Sequence, residues 1–237
     1  MATTTRTVTE VCESAQAASR QLARASTETK NATLQRIAEL LRERADQVLA
    51  ANAADLEDER AANLTSALRD RLTLTPERVE AMAAGVEEGM RLPDPVGEEI
   101  ESATLRSGIE MRKVRVPLGV VAVIYEARPN VTIDCAALCL KSGNAIVLRG
   151  SSYAANSNGA LAAVVRDALA ENGLPAGCVE LLSGDRSELT ELATAEGLVD
   201  LIIPRGGEGL KAALKEVATV PVMYAAAGNC HVYVHAD

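Results

Sequence analysis

The sequence predicts an α/β protein in which a group of helices precedes a parallel sheet covered by further helices. Two observations predict this class. Apolar residues in the first part recur at spacings of three and four, which is typical of amphipathic helices. From Val120 onward, short apolar runs alternate with helical segments, and this rhythm indicates parallel strands buried on both faces. We expect a helical region over residues 1–100 and an α/β domain with a leading strand pair over residues 101–237.

The first elements are amphipathic helices between about Thr7 and Leu92. Their apolar stripe is clearest in "ATLQRIAELLRERADQVL", with charged residues between Leu34, Ile37, Leu40, Leu41, Val48 and Leu49. A further helix begins with Thr75 as N-cap and Pro76 at the first position, and it ends at "LPDPVG". We interpret the acidic run "DLEDER" as a solvated helix face.

The strands follow this helical region. Alternation in "IEMRKVRV" predicts a strand pair between Glu101 and Val116, beside the main sheet. Apolar runs predict strands at "VVAVIYEA", "AIVLRG", "CVELLSG", "VDLIIPRGG", "VPVMYA" and "CHVYV". The segments between them predict helices over residues 130–141, 156–171, 187–195 and 208–217.

Composition excludes several classes of function. The 237 residues suffice for one large or two small domains, and with no Trp or Phe the core is built from Ala, Val, Leu and Ile. Few aromatic residues and a net charge of -9 disfavour nucleic acids as partners, but leave room for an anionic small molecule. We expect a cytoplasmic protein because no segment suits a signal peptide or a membrane span. Five scattered cysteines fit a reducing compartment without structural disulfides.

Candidate site residues follow the predicted strands, because ligands of parallel sheets bind outside the carboxyl ends of the strands. They are Glu126, Arg128, Pro129 and Asn130 after the first strand, Arg149, Gly150, Ser151 and Ser152 after the second, Ser183 and Gly184 after the third, and Pro204, Arg205, Gly206 and Gly207 after the fourth. Arginines and glycines at one sheet edge suit phosphate oxygens. The alternative is that Arg149 is a solvated strand-end charge and the glycines form turns. Neither a P-loop nor G-x-G-x-x-G occurs, so the residues themselves predict a nucleotide or phosphate site and no more.

Two other groups of residues give weaker evidence of a functional site. His231 and His235 on an extended strand would lie roughly 13 Å apart, too far to share a metal with Cys230, so we expect no metal site. Cys135 and Cys139 are one helical turn apart, and a role in the core is favoured over redox chemistry.

The segments "PLGVVAVIYEARPNVTIDCAALCLKSGNAIVLRGSS", "DLIIPRGGEGL" and "GNCHVYV" resemble the gamma-glutamyl phosphate reductase family, a branch of the aldehyde dehydrogenase superfamily. "DRLTLTPERV" and "LPDPVGE" extend the resemblance over essentially the whole chain. The resemblance implies an aldehyde dehydrogenase-like fold with a Rossmann-like sheet. It also implies NADPH-dependent reduction of L-glutamate 5-phosphate to the 5-semialdehyde in proline biosynthesis, homo-oligomers of the full-length protein, and coupling to glutamate 5-kinase.

The same resemblance implies roles for the predicted site. Arg149, followed by Ser151 and Ser152, would lie near the adenine ribose, and since no acidic residue follows closely, a 2'-phosphate would be tolerated. The segment from Pro204 to Gly207, including Arg205 and Gly206, would form the turn under the pyrophosphate. The loop with Glu126, Arg128 and Asn130 would face the substrate. Within it Asn130 would donate to the developing oxyanion, and Arg128 would pair with the acyl phosphate.

The chain also departs from the family pattern. The family's nucleophilic cysteine follows the strand represented here by "CHVYV", and none of the five cysteines matches its motif. "MYAAAGN" replaces the more polar "ETGVGN", so residues 224–227 receive no role. Three interpretations stay open: the cofactor-binding part of this enzyme, which is the one favoured; a truncated product that binds nucleotide or another subunit; or a reductase of another acyl phosphate. We expect the chain alone to be inactive and poorly soluble.

Overall fold

The computed structural model describes residues 6–59, 61, 64–182, 186–224 and 232–234. Helices make up the first part, as predicted. They are α1 (Val8–Leu22), α2 (Thr27–Glu43), α3 (Ala45–Glu57), α4 (Ser66–Leu72) and α5 (Pro76–Arg91). The predicted start of α5 is confirmed, because the Thr75 side chain accepts a hydrogen bond from the backbone N–H of Arg78.

The apolar stripe of α2 and α3 is buried as the spacing predicts. Leu34, Ile37, Leu40, Leu41 and Val48 are at most 1% exposed, and Leu49 is partly buried. These side chains join one hydrophobic core with residues of the main sheet and of its covering helices. The N-terminal helices and the α/β part therefore share one core.

Strands β1 (Glu99–Thr104) and β2 (Glu110–Val114) form the predicted pair as an antiparallel hairpin. The hairpin is a separate two-stranded sheet and begins two residues before the predicted Glu101. All residues of both strands are exposed, so the alternation of "IEMRKVRV" does not correspond to a buried and a solvated face in this chain.

The main sheet contains β3 (Val120–Tyr125), β4 (Ala145–Arg149), β5 (Val179–Leu181) and β6 (Leu201–Arg205). Its strand order is β5-β4-β3-β6, and every pair is parallel, which confirms the predicted class. The helices between and after the strands are α6 (Asn130–Lys141), α7 (Ala155–Glu171), α8 (Arg186–Ala193) and α9 (Glu208–Val217). Two short 3-10 helices, Ser152–Ala154 and Ala176–Cys178, precede α7 and β5.

Two predicted strands are wrong in the described residues. "VPVMYA" makes a single parallel bridge, Val222 with Ile202, because Pro221 has no N–H with which to extend the ladder. Of "CHVYV", Val232–Val234 are described, do not form a strand and are 83–86% exposed. Cys230 and His231 lie outside the described residues. No helix in the described ranges is long and apolar enough to cross a membrane.

The prediction that the acidic run "DLEDER" is a solvated helix face is wrong at Asp55. Glu57 and Glu59 are exposed as predicted, but Asp55 is only 2% exposed. Its carboxylate accepts hydrogen bonds from the backbone N–H groups of Asn156 at 3.0 Å and Ser157 at 2.8 Å, and from the Ser157 hydroxyl at 2.5 Å. Asp55 thus caps the N-terminus of α7 from α3, a long-range contact that local charge patterning does not reveal.

Replacing Asp55 should destabilise the fold. Asp55→Ala removes the charged acceptor of four donors, of which the N–H and the hydroxyl of Ser157 are buried, and this should lower the free energy of unfolding by roughly 3 kcal/mol. Urea unfolding followed by circular dichroism measures the change. Glu57→Ala on the exposed face of the same helix is the matched control and should stay within about 0.5 kcal/mol of wild type. Equal stability of the two variants would contradict the capping role.

Candidate functional site

The predicted site residues meet at one edge of the main sheet because β3 pairs on both sides. Ile124 lies opposite Arg149 of β4 and opposite Pro204 of β6. Arg149 and Pro204 are therefore level with each other, about 10 Å apart at two interstrand spacings. Ser183 and Gly184, the candidates after β5, lie outside the described residues.

The order in which the chain adds strands to the sheet reverses at β3, because β4 lies on one side of it and β6 on the other. From β3 the chain moves outward through β4 to β5, and β6 then returns to the other side of β3. Such a reversal opens a crevice at the carboxyl ends of the two strands, where open α/β sheets bind ligands. A cleft of about 660 Å³ lies here, called the β6 cleft. Its lining is Arg71, Glu126, Arg128, Ile203, Pro204, Arg205, Gly206, Gly207, Lys211, Met223 and Tyr224.

The β6 cleft is positively charged on an acidic protein. Arg71, Arg128, Arg205 and Lys211 line it together with one carboxylate, Glu126, whereas the whole chain carries a net charge of -9. Clefts lined by one sign of charge concentrate ligands of the opposite sign. This arrangement suits a polyanion such as a nucleotide.

The turn between β6 and α9 is built for close approach of the backbone. An added Cβ at Gly206 would lie 2.9 Å from Leu210 Cδ2 and 3.0 Å from Glu126 Oε1. The backbone N–H of Gly207, the N-cap of α9, donates to Glu126 Oε1 at 3.0 Å. Glu126, predicted to face the substrate, places its carboxylate at the N-terminus of α9, a position that suits anions.

The loop after β4 is anchored by a buried hydrogen-bond chain. The Tyr125 hydroxyl and Thr132 Oγ1 are 2.7 Å apart, and Thr132 Oγ1 donates to Asn158 Oδ1 at 3.0 Å. Gly150 packs against Tyr125 and Asn158 so tightly that a Cβ would overlap the Asn158 amide. This packing fixes the path of the chain between Arg149, which is half-buried, and the serines that follow.

Ser151 and Ser152 open the short 3-10 helix before α7. Both are half-buried, and Ser151 Oγ accepts a hydrogen bond from the backbone N–H of Tyr153 at 3.3 Å. The N-terminus of α7 itself is already capped by Asp55. An anion near Arg149 would therefore meet the two serines rather than a free helix N-terminus.

A second cleft of about 540 Å³, called the α4–α6 cleft, adjoins the loop after β3. It is lined by Asp70, Arg71, Thr73, Leu74, Arg78, Ala81, Met82, Arg128, Asn130 and Asp134. Asn130 Nδ2 donates to Asp134 Oδ2 at 3.0 Å, one turn further along α6. Because an amide carries two N–H groups, Asn130 keeps donor capacity for a ligand.

Asp134 is exposed as a residue, yet neighbouring protein atoms desolvate its carboxyl group and raise its pKa. The hydrogen bond from Asn130 and the charge of Arg205 oppose that rise.

Arg71 is the site residue that sequence reasoning missed. It lies on α4 and lines both clefts, together with Arg128. Its segment "DRLTLTPERV" carries part of the family resemblance, and that was the signal that could have drawn attention to it. The spacing of α4 alone gives no reason to place it beside the loop after β3.

The described cysteines are not placed for nucleophilic chemistry. Cys12, Cys135, Cys139 and Cys178 are buried free thiols. Burial raises the pKa of Cys12 to about 11 and the pKa of Cys139 and Cys178 to about 12. It also raises the pKa of Cys135, although the charge of nearby Arg205 opposes this. Cys230, His231 and His235 lie outside the described residues, among which no cluster of metal ligands occurs.

Comparison with known proteins extends these observations. The family model described as "Aldehyde dehydrogenase family" matches residues 1–237. A curated relative from Thermobifida fusca, named gamma-glutamyl phosphate reductase, is 49% identical over 230 residues, which are 97% of this chain and 55% of the relative.

Two solved structures of proteins with that name are similar to this chain. The enzyme from Thermotoga maritima has a TM-score of 0.91 and 41% identity, over 94% of this chain and 54% of its own. The enzyme from Saccharomyces cerevisiae has a TM-score of 0.85 and 30% identity, over 94% of this chain and 57% of its own. The chain thus spans about half the length of the relatives it matches.

The raised thiol pKa values predict low reactivity. In the folded chain near neutral pH, iodoacetamide should leave Cys12, Cys135, Cys139 and Cys178 almost unmodified, because the thiolate is the reacting species and each thiol is buried and protonated. Peptide mass spectrometry measures the labelling at each site. The same chain in denaturant is the control and should be labelled at all four. Fast native labelling at one site would show an activated thiol there.

Proposed function

The chain belongs to the aldehyde dehydrogenase family, and from that premise we propose that it is the cofactor-binding part of an NADPH-dependent acyl-phosphate reductase. The reaction is reduction of L-glutamate 5-phosphate to L-glutamate 5-semialdehyde with release of phosphate, in proline biosynthesis. The observation that carries the proposal is the cationic β6 cleft at the chain reversal of the sheet. The 49% identity to a relative named gamma-glutamyl phosphate reductase also supports the proposal.

The proposed cofactor site combines the loop after β4 and the turn after β6, at the same edge of the sheet. Arg149, Ser151 and Ser152 would hold the adenosine ribose and its 2'-phosphate, since a guanidinium and two hydroxyl groups make charge-assisted hydrogen bonds to phosphate. The turn of Pro204, Arg205, Gly206 and Gly207 would lie under the pyrophosphate. A dinucleotide phosphate would take over the N–H of Gly207 from the exposed Glu126 carboxylate. When bound, the nicotinamide supplies the hydride.

The substrate would bind where the loop after β3 meets the α4–α6 cleft. Glu126, Arg128 and Asn130 belong to this loop or to the start of α6. Arg128 would pair with the phosphoryl group, and the second N–H of Asn130 would donate to the acyl oxygen as negative charge develops on it. In this scheme residues 101–237 hold the cofactor, and the helical region contributes to the substrate side through α4.

The thiol that would attack the acyl phosphate is assigned to a part of the protein that this chain does not cover. Every described cysteine is buried, with its pKa raised by that burial. Acyl transfer needs a thiolate within bonding distance of the acyl carbon. The relatives extend to almost twice the length of this chain, which leaves room for such a residue.

We also propose that the complete protein is a homo-oligomer coupled to glutamate 5-kinase. Ile100, Ile109, Val116 and Leu118, on or next to the β1–β2 hairpin, are 48–73% exposed, and such apolar patches suit burial between subunits. Coupling to a kinase would limit hydrolysis of the reactive acyl phosphate.

A chimera tests the proposed reaction. The 237-residue chain alone should not form NADPH from glutamate semialdehyde, phosphate and NADP⁺, because the proposal assigns the nucleophile to a part of the protein that this chain does not cover. Joined to the C-terminal part of the Thermobifida fusca relative, it should gain this activity, measured by absorbance of the reduced nicotinamide. The intact relative is the positive control. A folded chimera that stays inactive beside an active relative would contradict the proposal, and so would activity of the chain by itself.

Cofactor preference tests the role of Arg149. In the active chimera, Arg149→Ala should raise the KM for NADP⁺ by at least about tenfold and change the KM for NAD⁺ much less, because the 2'-phosphate is present only in NADP⁺. Arg106→Ala, on the exposed hairpin turn, is the control and should change neither. Equal effects of Arg149→Ala on both cofactors would show that Arg149 does not contact the 2'-phosphate.

A further inference from the structure

The β6 cleft and the α4–α6 cleft share two lining residues, Arg71 and Arg128. The two guanidinium groups therefore stand at the junction of the clefts. One comes from α4 and the other from the loop after β3, so 57 positions in the sequence separate them.

A small apolar cluster fixes this junction. Leu72, next to Arg71, and Ala127, next to Arg128, belong to the same buried cluster with Ala61 and Ala154. The backbone carbonyl of Leu72 also accepts a hydrogen bond from the buried amide of Asn52 at 2.9 Å. The backbone under both arginines is thus anchored, and their side chains extend from it into the clefts.

Both side chains are available to a ligand. Arg71 and Arg128 are exposed, and neither side chain makes a hydrogen bond or an ion pair with any residue in the described ranges. Arg78 in the same cleft differs, because it donates to the backbone carbonyls of Asp70 and Thr73 and to the Asp70 carboxylate. Other arginines of this acidic chain, such as Arg36 and Arg42, are likewise paired with glutamates.

We propose that Arg71 and Arg128 together bind the phosphoryl group of the substrate, and the phosphate released from it, at the junction of the two clefts. This inference rests on the proposed function. Two guanidinium groups offer paired donors that match the oxygens of a phosphate dianion. The site adjoins the dinucleotide turn without including it, since Arg205, Gly206 and Gly207 line the β6 cleft alone. Phosphate and NADPH therefore bind together.

Inorganic phosphate is the probe for this site. Titration calorimetry of the 237-residue chain, saturated with NADPH and kept at constant ionic strength with chloride, should give one phosphate site. Arg71→Ala should weaken phosphate binding at least about tenfold. Arg71→Lys should recover part of this loss, since the charge returns without the planar donor pair. Affinity for NADPH should change less than about twofold in both variants.

Arg69→Ala is the matched control, because Arg69 lies on α4 outside both clefts. It should leave both affinities unchanged, and thermal melts establish that each variant is folded. The inference is overturned if Arg71→Ala leaves phosphate affinity unchanged. It is also overturned if NADPH displaces phosphate, or if the chain binds NADPH but not phosphate. A chain that binds phosphate through Arg71 but not NADPH would contradict the proposed function alone. A folded chain that binds neither would overturn both.

Discussion

Parallel pairing of β3 on both of its edges is the constraint on which the rest of the structure depends. All six residues of β3 are buried, and the strand bonds to β4 on one side and β6 on the other. Its amino end is held by Asn144, which accepts from the N–H of Gly119, and by Asp200, which accepts from the N–H of Val120. These bonds and the pairing on both sides fix the register of the strand. The register of β3 also fixes the positions at which the loops after β3, β4 and β6 leave the sheet.

Two carboxylates then decide what the helix N-termini near this edge can bind. Asp55 is buried and caps α7 through several hydrogen bonds, so that terminus is closed by the protein itself. Glu126 is exposed and contacts the first turn of α9 through the N–H of Gly207. Exchange of an exposed carboxylate for a ligand phosphate costs little desolvation, whereas removal of a buried one leaves donors unpaired. The difference in burial is the reason to treat Asp55 as a structural cap and Glu126 as part of a candidate ligand site.

The arginines at the junction of the two clefts connect this edge with the N-terminal helices. Arg71 reaches the site because Leu72 of α4 belongs to the same buried cluster as Ala127, which precedes Arg128. In the proposed function a dinucleotide and an acyl phosphate would lie side by side, and their charges would repel each other. Cations shared by neighbouring clefts would offset that repulsion and hold the reacting groups close together. Several other arginines of this acidic chain, such as Arg36 and Arg42, are instead paired with glutamates.

The sequence by itself determined the order of helices and strands, the parallel class of the sheet and the edge at which the candidate residues gather. These features depend on local periodicity and capping, as at Thr75, and on the rule that parallel strands present their carboxyl ends together. The tertiary structure alone decided that Asp55 is buried, that Glu126 contacts Gly207 and that Arg71 lines the same clefts as Arg128. Each of these depends on a partner tens of residues away in the chain, and charge or apolar spacing within one segment carries no information about such a partner.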